Sequence, residues 1–578
     1  MYEDQELRND FASYDIKDRP EHESARTVLL VAVFLCLCLP FLGAPPLMDP
    51  DEGYYPSTAR EMMAREGWFD PVFNSGPRWG KPIGFYLAEC ISFRVLGATE
   101  FSARLPSLLA GLGLMLLSAG LGRLLFGRKA AFFSGLVCAT SLQTVVYSRA
   151  AVPDMLLAVF ICLALYGFVL WDLRGRSEKG RGGPVLALMY LGCALGFLVK
   201  GPLGVLLPGI TVMAFLVFSK RLKDVSKLGL WWGIPLFLLV TAPWFVYMYC
   251  IHGTAYLEEF FLHRNLERYF TDRWEHPGPV WYYLPILAAG SFPWTLVLAG
   301  AAVRSLKGLA AGRSAENDPG DNSNKKAHLL LWCWLGGMLL FFSFSRSKLL
   351  NYVLPLYPVV AVLCGSWLAE AEKKVGRVPL LIVAGGTAVL ALSLLAASLA
   401  LLPGRLDAPF YMVATGLWPV ALIVPGAAFW LLSDTPGKSL RVFCACCALV
   451  MALVFAMTAG FVLPRLDQYR AVRSFGLNQL AGLGDGERIC CLQVWTPSLL
   501  FYTGSGRGKN KGEQNKGKII RFDPYRDSWE DFIAGGGRWV LTRERSLALA
   551  DSLMGGRRPA KIHRIGDRIL LQLADINP

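Results

Sequence analysis

Long apolar stretches separated by short polar segments run through most of this chain of 578 residues. A helix needs about 20 mostly apolar residues to cross the hydrocarbon core of a bilayer. The pattern therefore predicts an α-helical integral membrane protein with about thirteen transmembrane helices. The predicted spans are 27–47, 102–126, 130–148, 155–173, 184–199, 203–218, 230–251, 280–303, 328–344, 349–368, 378–402, 411–432 and 442–463.

The loop 48–101, between the first two spans, is long enough to hold helices of its own. Pro56 and Gly67 are typical of a first helical position and of the position just past a helix end, so they predict a helix over 56–66. The apolar segment 83–96 is too short to span a bilayer. We expect it to lie along the membrane interface.

A second long loop, 252–279, is rich in aromatic and basic residues. Spacings of four, seven and eleven residues predict an amphipathic helix that rests at the level of the lipid headgroups. The residues expected on its basic face are Leu257, Phe261, Arg264 and Arg268.

The chain has a net charge of +14. The positions of its basic residues indicate membrane topology and not nucleic-acid binding. Lys and Arg fall in short segments between spans, such as 174–181 and 220–227. Because Lys and Arg resist translocation, these segments belong in the cytoplasm. The bias and the odd number of spans place the N-terminus in the cytoplasm. The chain after Arg465 then lies outside, in the periplasm if this is a bacterial inner membrane protein.

Three regions follow from this pattern. Residues 1–26 are predicted to be an acidic cytoplasmic tail, 27–463 a multi-span domain, and 464–578 a small α/β domain. In the last region, 489–494, 539–541 and 568–573 resemble strands. Most of the 14 cysteines lie within apolar spans, and their spacing indicates neither a disulfide framework nor a zinc site.

Three carboxylates follow the first apolar run, at Asp49, Asp51 and Glu52. They could simply favour the positive N-terminal end of the next helix. Crowded acids at an anionic membrane surface repel one another, however, which favours a catalytic role for Asp51 and Glu52. Asp154, after Pro153 at the outer start of a span, could either satisfy the helix dipole or act in catalysis.

Several basic residues lie outside the membrane, against the positive-inside bias. Taken singly, each could contact lipid headgroups, but together they could form an electropositive pocket that binds phosphate. These residues are Lys81, Lys200, Arg264, Arg268, Arg346 and Lys348. The chain has no nucleotide-binding fingerprint, so an activated donor would have to be a lipid-phosphate-linked group.

Several short motifs lie between about residues 27 and 465. Their sequences and order resemble those of the bacterial aminoarabinose transferases that modify lipid A. More broadly they resemble the GT-C glycosyltransferases, which include the protein mannosyltransferases. The motifs include Asp49-Pro50-Asp51-Glu52-Gly53-Tyr54, Gly80-Lys81-Pro82, Arg149 to Asp154, Lys200-Gly201-Pro202, Asn265 to Phe270 and Ser347 to Pro355. The resemblance implies a GT-C fold and transfer of a sugar, with inversion, from a polyprenyl phosphate on the outer face of the membrane.

The resemblance also implies roles for single residues. Asp51 would be the key carboxylate and Asp154 a second acid, while Lys81, Arg268 and Tyr352 would hold the carrier phosphate. A lipid A phosphate needs no general base as acceptor, because its oxygen is already an anion. A hydroxyl acceptor would need Asp51 to remove its proton.

One position departs from the pattern of the family. Many relatives carry an acid before the Lys-Pro pair, where this chain has Gly80. In the aminoarabinose enzymes that acid and a histidine matching His263 can bind a structural metal. We therefore predict no required cofactor, with a divalent metal at His263 as the alternative. His252 and His276 share that loop without the spacing of a metal site.

Sugar transfer to lipid A is the leading hypothesis. A transferase acting on protein hydroxyls or another glycolipid is the alternative within the enzyme class. A lipid flippase or transporter is the alternative outside it, although transporters tend to place charged groups at mid-membrane, within repeated halves. The expected partners are a polyprenyl-phosphate sugar donor, an envelope acceptor and membrane lipids, without nucleic acid.

Overall fold

The computed structural model describes most of the chain and divides it into two compact units. The described residues are 20–65, 67–174, 183–271, 277–310, 319–374, 436–462, 464, 472–480, 487–503, 519–524, 527–555 and 558–574. The first unit, hereafter the span unit, comprises 1–40, 107–149 and 153–456. The second, hereafter the loop unit, comprises 41–106, 150–152 and 457–578.

Helices make up the described part of the span unit. The α-helices with residues in it are Pro20–Cys38, Glu100–Phe126, Arg128–Thr140, Leu142–Ser148, Asp154–Arg174, Gly183–Lys200, Leu203–Phe218, Leu230–His252, Thr254–Leu257, Arg268–Phe270, Tyr283–Gly290, Thr295–Ala310, Pro319–Phe344, Tyr357–Lys374 and Pro436–Met457. Short 3-10 segments lie at Leu222–Leu228, Val280–Tyr282 and Leu350–Leu356, and a π-helix lies at Glu258–Glu267.

Six helices in the described part of the chain are long and apolar enough to cross a membrane, or up to eight if two bent pairs each count as one span. The protein is therefore a multi-pass membrane protein. The six coincide with predicted spans, and two shorter apolar helices, Pro184–Lys200 and Leu203–Phe218, match two more. The predicted spans 378–402 and 411–432 lie outside the described residues, so the total of about thirteen stays a prediction.

The first predicted span, 27–47, is wrong in its extent. The helix is Pro20–Cys38, and the chain leaves helical geometry before Pro40. Proline cannot donate the backbone hydrogen bond that would continue the helix, and Pro45 and Pro46 follow closely. The apolar stretch 27–47 thus continues beyond the end of the helix at Cys38.

The predicted span 130–148 is broken at Ser141, where the two helices on either side meet at a bend of 62°. Ser141 has an extended conformation, with φ −66° and ψ 131°. The N–H of Leu142 donates to the carbonyl of Phe292 at 2.9 Å instead of to its own helix. A tertiary hydrogen bond therefore replaces a helical one, and hydropathy carries no sign of it.

The loop unit combines helices from the first loop with a sheet from the C-terminal region. Its helices include Asp51–Ala64, Gly84–Leu96, Val472–Ser474, Ser498–Thr503, Trp529–Ala534 and Leu547–Leu553, with π-helical segments at Thr458–Val462 and Phe475–Gln479 and a 3-10 turn at Glu544–Ser546. The predicted helix 56–66 begins earlier, at Asp51. Pro56 lies inside it and leaves one helical hydrogen bond unmade.

In the described residues of the loop unit, seven short strands form two sheets. The hairpin of β1 (Val72–Phe73) and β2 (Gly76–Pro77) is antiparallel. The larger sheet contains β3 (Arg488–Leu492), β4 (Ile519–Phe522), β5 (Gly537–Arg543), β6 (Lys561–Ile565) and β7 (Arg568–Gln572), in the order β4-β3-β5-β7-β6. Strand β3 pairs in parallel with β4 and β5, whereas β7 is antiparallel to β5 and β6. The predicted small C-terminal α/β fold is confirmed.

The C-terminal sheet is held by its own apolar core. Buried side chains from several strands and from the flanking helices pack together over one face of the sheet. They include Cys490, Phe522, Phe532, Val540 and Ile569. All of the described cysteines are free thiols, Cys490 and Cys491 among them.

Candidate active site

The acidic segment, residues 49–54, begins the helix Asp51–Ala64 in the loop unit. Asp51 is exposed at the first helical position, whereas its neighbour Glu52 is only 5% exposed. Adjacent residues on a helix point about 100° apart, which explains how one carboxylate faces out while the next is buried. The two predicted catalytic acids therefore occupy different environments.

Glu52 is fully occupied by hydrogen bonds within the loop unit. Arg104 donates to both of its oxygens, at 2.9 and 2.8 Å, and the backbone N–H groups of Ala151 and Met48 donate at 2.8 and 2.9 Å. Burial raises the pKa of Glu52, but Arg104 and the two N–H groups outweigh burial and leave the pKa lowered. Glu52 is thus a buried anion with four donors.

A second buried acid, Glu89, lies in the helix Gly84–Leu96 of the same unit. It is 0% exposed, and neither carboxyl oxygen has a hydrogen-bond partner. Burial, and then the negative charge of Glu52, raise its pKa well above the ordinary value. Glu89 is therefore held as a neutral acid beside a charged one, and the sequence analysis did not identify it.

Lys81 lies half-buried in the loop unit, just before the helix Gly84–Leu96. The nearby Arg78 lies over the ring of Tyr54, with its guanidinium carbon 3.9 Å from the ring centroid, and donates to the hydroxyl of Tyr86 at 3.3 Å. This cation–π contact links the Gly80-Lys81-Pro82 region to the acidic segment.

The span unit brings three of the predicted site residues together. Lys200, at the end of the helix Gly183–Lys200, donates a short hydrogen bond to Oδ1 of Asp154, the first residue of the helix Asp154–Arg174. Both side chains are at least nine-tenths buried. The ammonium of Lys200 also lies 5.3 Å from the ring centroid of Tyr352. A carboxylate, an ammonium and a phenol thus form one cluster.

Lys348 is buried in a different setting, at the end of the helix Pro319–Phe344. Its ammonium donates to the carbonyls of Ser343 and Ser345 at 2.7 and 2.8 Å, and burial lowers its pKa. It also lies 5.7 Å from the ring centroid of Tyr283. Since an ammonium has three N–H donors, these two carbonyls leave one for another acceptor.

The predicted amphipathic helix of the second loop is wrong in geometry. Residues Glu258–Glu267 form a π-helix, in which the bonds run from i to i+5 and each residue turns the chain by less than in an α-helix, so spacings of seven and eleven no longer fall on one face. The same geometry pairs Arg264 with Glu259, five residues away, at 2.6 Å. Arg268 begins the α-helical turn that follows.

The π-helix contacts the residue after Lys200, and the α-helical turn that follows it contacts the chain just before Lys348. The ring of Phe260 lies against Gly201, where a Cβ would come within 2.6 Å of it, and Gly201 has a φ of +73°. Tyr269 donates to the carbonyl of Phe341 at 2.8 Å, and its own carbonyl accepts from the N–H of Arg346 at 3.0 Å. Gly201, the residue after Lys200, must therefore be glycine for two reasons, its positive φ and the closeness of the Phe260 ring.

The described residues do not fit a metal site. His263 is paired through Nδ1 with Glu267 at 2.7 Å, and Gly80 supplies no donor atom. In the described part of the chain no three His, Cys, Asp or Glu side chains come together as a metal would require. His276 lies outside the described residues.

The structure thus groups the predicted residues in two sets. Asp51, Glu52 and Lys81 belong to the loop unit. The span unit holds Asp154, Lys200, Tyr352, Lys348, Arg264 and Arg268. Sequence reasoning missed Arg104, although an arginine within an apolar span is costly and would have marked it for attention.

Comparison with known proteins confirms the fold and the resemblance. The family model for dolichyl-phosphate-mannose-protein mannosyltransferase matches residues 80–247. The undecaprenyl phosphate-alpha-4-amino-4-deoxy-L-arabinose arabinosyl transferase of Pectobacterium carotovorum is 33% identical over 346 residues, which are 59% of each chain. That of Shewanella sediminis is 31% identical over 352 residues, 60% of each chain. The match thus spans about three fifths of the length of these curated relatives.

Two solved structures share the fold. ArnT from Cupriavidus metallidurans bound to undecaprenyl phosphate has a TM-score of 0.76 at 22% identity, and the match covers 95% of this chain and 98% of that one. The archaeal oligosaccharyltransferase AglB from Archaeoglobus fulgidus has a TM-score of 0.51 at 12% identity, over 92% of this chain and 70% of that one. The chain has the GT-C fold.

Proposed function

We propose that this multi-pass GT-C protein is an inverting glycosyltransferase. It moves a sugar, with 4-amino-4-deoxy-L-arabinose favoured, from undecaprenyl phosphate to a phosphate of lipid A. The names of the two curated relatives described above support the donor and the sugar, and the ArnT structure was determined with undecaprenyl phosphate bound.

The observation that carries the proposal is the buried Lys200, which is held by Asp154 and lies beside Tyr352. A buried ammonium is costly unless it is paired, and here the pairing fixes its position in advance. A preorganised cation stabilises negative charge that develops on a leaving group. The leaving group proposed here, undecaprenyl phosphate, is such an anion.

In the proposed step, the bond from the anomeric carbon to the donor phosphate oxygen breaks. The acceptor oxygen forms the new bond from the opposite side of the ring, so the configuration inverts. The departing phosphate keeps the electron pair of the broken bond. Positively charged side chains around it, and not a proton, stabilise its negative charge. We assign Lys81, Lys200, Arg268, Lys348, Arg264 and Tyr352 to phosphate binding, with Asp154 holding Lys200.

Asp51 is the proposed catalytic carboxylate, since it is exposed while its neighbour is not. We assign Glu52 a positioning role, because four donors already occupy its oxygens. A phosphate acceptor is already anionic and needs no general base. In that case Asp51 orients the acceptor or the amino sugar and does not accept a proton.

A second candidate is transfer to a protein hydroxyl or another glycolipid. The family model that matches 80–247 is described as a protein mannosyltransferase, and AglB is named an oligosaccharyltransferase. With a hydroxyl acceptor, Asp51 has to remove the proton as general base. The same residues would serve, so the acceptor must be identified directly.

We also propose that the protein lies in a bacterial inner membrane, with a cytoplasmic N-terminus. The tail 1–26 then lies inside, the region 27–463 spans the membrane, and 464–578 faces the periplasm. The positive-inside bias supports this orientation. Labelling of cysteines introduced at exposed positions, such as Glu530 in the C-terminal region, with a membrane-impermeant reagent tests it.

Mass spectrometry of lipid A from cells that express the full chain, or its Asp51→Asn variant at equal level, tests the proposed function. A mass increment of an aminopentose that appears with the natural chain and is lost in the variant is expected. Unmodified lipid A in both strains, with the donor lipid present, would overturn the lipid A assignment and direct the search to glycoproteins. Donor lipid moved across the membrane equally by both forms would favour a flippase.

A further inference from the structure

The loop unit contains a set of contacts that the proposed chemistry does not use. Residues 495–503, here called the clasp segment, follow strand β3 and contain the helix Ser498–Thr503. This segment bonds to residues on both sides of Asp51, although more than 400 positions separate them in the chain.

Before Asp51, the clasp segment holds two positions. Asp49 accepts from the backbone N–H of Ser498 at 2.8 Å through Oδ1, and from its hydroxyl at 2.5 Å through Oδ2. The N–H of Leu47 donates to the hydroxyl of Tyr502 at 2.8 Å, in a buried site. One carboxylate of the acidic segment is therefore used as an anchor.

After Asp51, three more side chains are held. Trp495 donates from its indole N–H to the hydroxyl of Tyr54 at 2.6 Å. The hydroxyl of Ser57 donates to the carbonyl of Pro497 at 3.2 Å, and Arg60 donates to the carbonyl of Phe501. The first three turns of the helix that carries Asp51 are thus bonded to the C-terminal region.

Gly53 shows how close this approach is. A Cβ at Gly53 would come within 2.4 Å of the backbone nitrogen of Ser498 and 2.3 Å of Oδ1 of Asp49. Backbone cannot move aside as the end of a side chain can, so this position accepts no larger residue. Two residues after Asp51, the helix and the clasp segment are in direct backbone contact.

We propose that the C-terminal region is a positioning element for catalysis, in which the clasp segment fixes the backbone that presents Asp51. Trp495 and Ser498 are positioning residues, and neither is assigned a contact with substrate. A catalytic group acts only when it is held within about half an ångström of its productive position, and hydrogen bonds to its support achieve this. The inference rests on the proposed role of Asp51.

The test uses the purified full chain in lipid nanodiscs, with undecaprenyl-phosphate aminoarabinose and lipid A as substrates. Trp495→Phe and Ser498→Ala are each expected to lower kcat about tenfold or more, because small misplacements of a catalytic group cost large factors in rate. KM for the donor should change less than about twofold, since the variants leave the phosphate-binding residues intact.

A double-mutant cycle adds a readout that general destabilisation does not reproduce. Tyr54→Phe removes the other partner of the Trp495 hydrogen bond and keeps the ring under Arg78. If the bond carries the effect, the double variant is no slower than either single variant. Fully additive losses of kcat would overturn the assignment of Trp495.

Hydrogen exchange of the backbone amides of 48–57 provides a readout without any substrate. Faster exchange is expected in Trp495→Phe and Ser498→Ala. The matched control is Ser528→Ala, which removes a serine that accepts from the N–H of Asp531 at 3.2 Å and caps the helix Trp529–Ala534. In that control we expect the exchange of 48–57 and kcat to stay as in the natural chain.

The outcomes separate this inference from the proposed function. Normal kcat and normal exchange in both clasp variants, with Asp51→Asn inactive, would overturn the clasp and leave the function standing. An equal loss of kcat in Ser528→Ala would also overturn it, since the effect would then come from general loss of stability. Faster exchange of 48–57 together with a fully active Asp51→Asn would support the clasp and refute the catalytic role.

Discussion

Arg104 and Glu52 form a two-point ion pair in which both side chains are less than a tenth exposed. The same guanidinium donates to the carbonyls of Leu42, Pro45 and Pro46, so these bonds tie the chain just before the loop 48–101 to the chain just after it. This pair determines how the residue next to Asp51 is held.

Arg104→Ala should therefore cost about 3–5 kcal/mol of stability, because it leaves the Glu52 carboxylate buried without its counter-charge. The measurement is the thermal unfolding midpoint of the purified protein. Arg564→Ala is the matched control: Arg564 pairs with Glu544 at 3.7 Å and both side chains are more than half exposed, so its loss should cost less than about 1 kcal/mol. Equal shifts in the two variants would contradict the structural role of Arg104.

The lowered pKa of Glu52 predicts a dependence of stability on pH. A carboxyl whose folded pKa lies below its unfolded value contributes stability above the unfolded pKa, and that stability is lost as pH falls through the folded pKa. Glu52→Gln should lower the unfolding midpoint at neutral pH and lose less further stability than the natural chain on acidification. Parallel curves for the two proteins between about pH 3 and 7 would refute this.

The raised pKa of Glu89 predicts the opposite dependence of stability on pH. Its pKa is raised by burial and by the charge of Glu52, so the unfolded state releases this proton at a lower pH than the folded state does. The free-energy cost of keeping Glu89 protonated in the folded state is absent below the unfolded pKa, and it grows as pH rises toward the folded pKa. Glu89→Gln removes this cost and should raise the unfolding midpoint at neutral pH by a few degrees.

The control for that prediction is Glu530→Gln, at an exposed position of the C-terminal region. It should leave the midpoint within about one degree, since exposed substitutions rarely exceed 0.5 kcal/mol. A lower midpoint in Glu89→Gln at neutral pH would show that the charged form of Glu89 stabilises the fold.

Asp154→Asn should reduce both stability and transfer, because it leaves Lys200 buried beside a neutral amide. Adding Lys200→Gln in the same chain should recover much of the lost stability, since the unpaired charge is gone. It should not recover transfer, which needs the cation for the leaving phosphate. Unfolding midpoints and turnover of the single and double variants measure the two effects separately, and recovery of turnover would exclude the phosphate role.

Hydropathy located the six long apolar helices of the described residues, because burial in lipid dominates their energetics and leaves long apolar runs in the sequence. Strands β3, β5 and β7 were predicted for a related reason, since their buried apolar residues are contiguous. Strands β4 and β6 were not: β4 follows a polar stretch, and β6 has mostly exposed or partly exposed residues.

The acidic segment and the Asp154 and Lys200 positions could be found from residue type and topology alone, because charges at a membrane surface are costly. Their partners could not. Nothing local at Ser498 or Arg104 indicates Asp49 or Glu52 as the residue it contacts. These pairings depend on tertiary packing, which places residues of the same type in different environments, such as exposed Asp51 and buried Glu52.

The π-helix Glu258–Glu267 also has a genetic consequence. A π-turn holds one more residue than the α-helical turn it replaces. Loss of a single codon within this stretch would therefore let one π-turn become an α-helical turn, and the helix that follows, Arg268 included, would keep its direction around the helix axis. An in-frame deletion of one residue here should therefore be better tolerated than one in the α-helix Asp154–Arg174, where every residue after the gap would turn by about 100°.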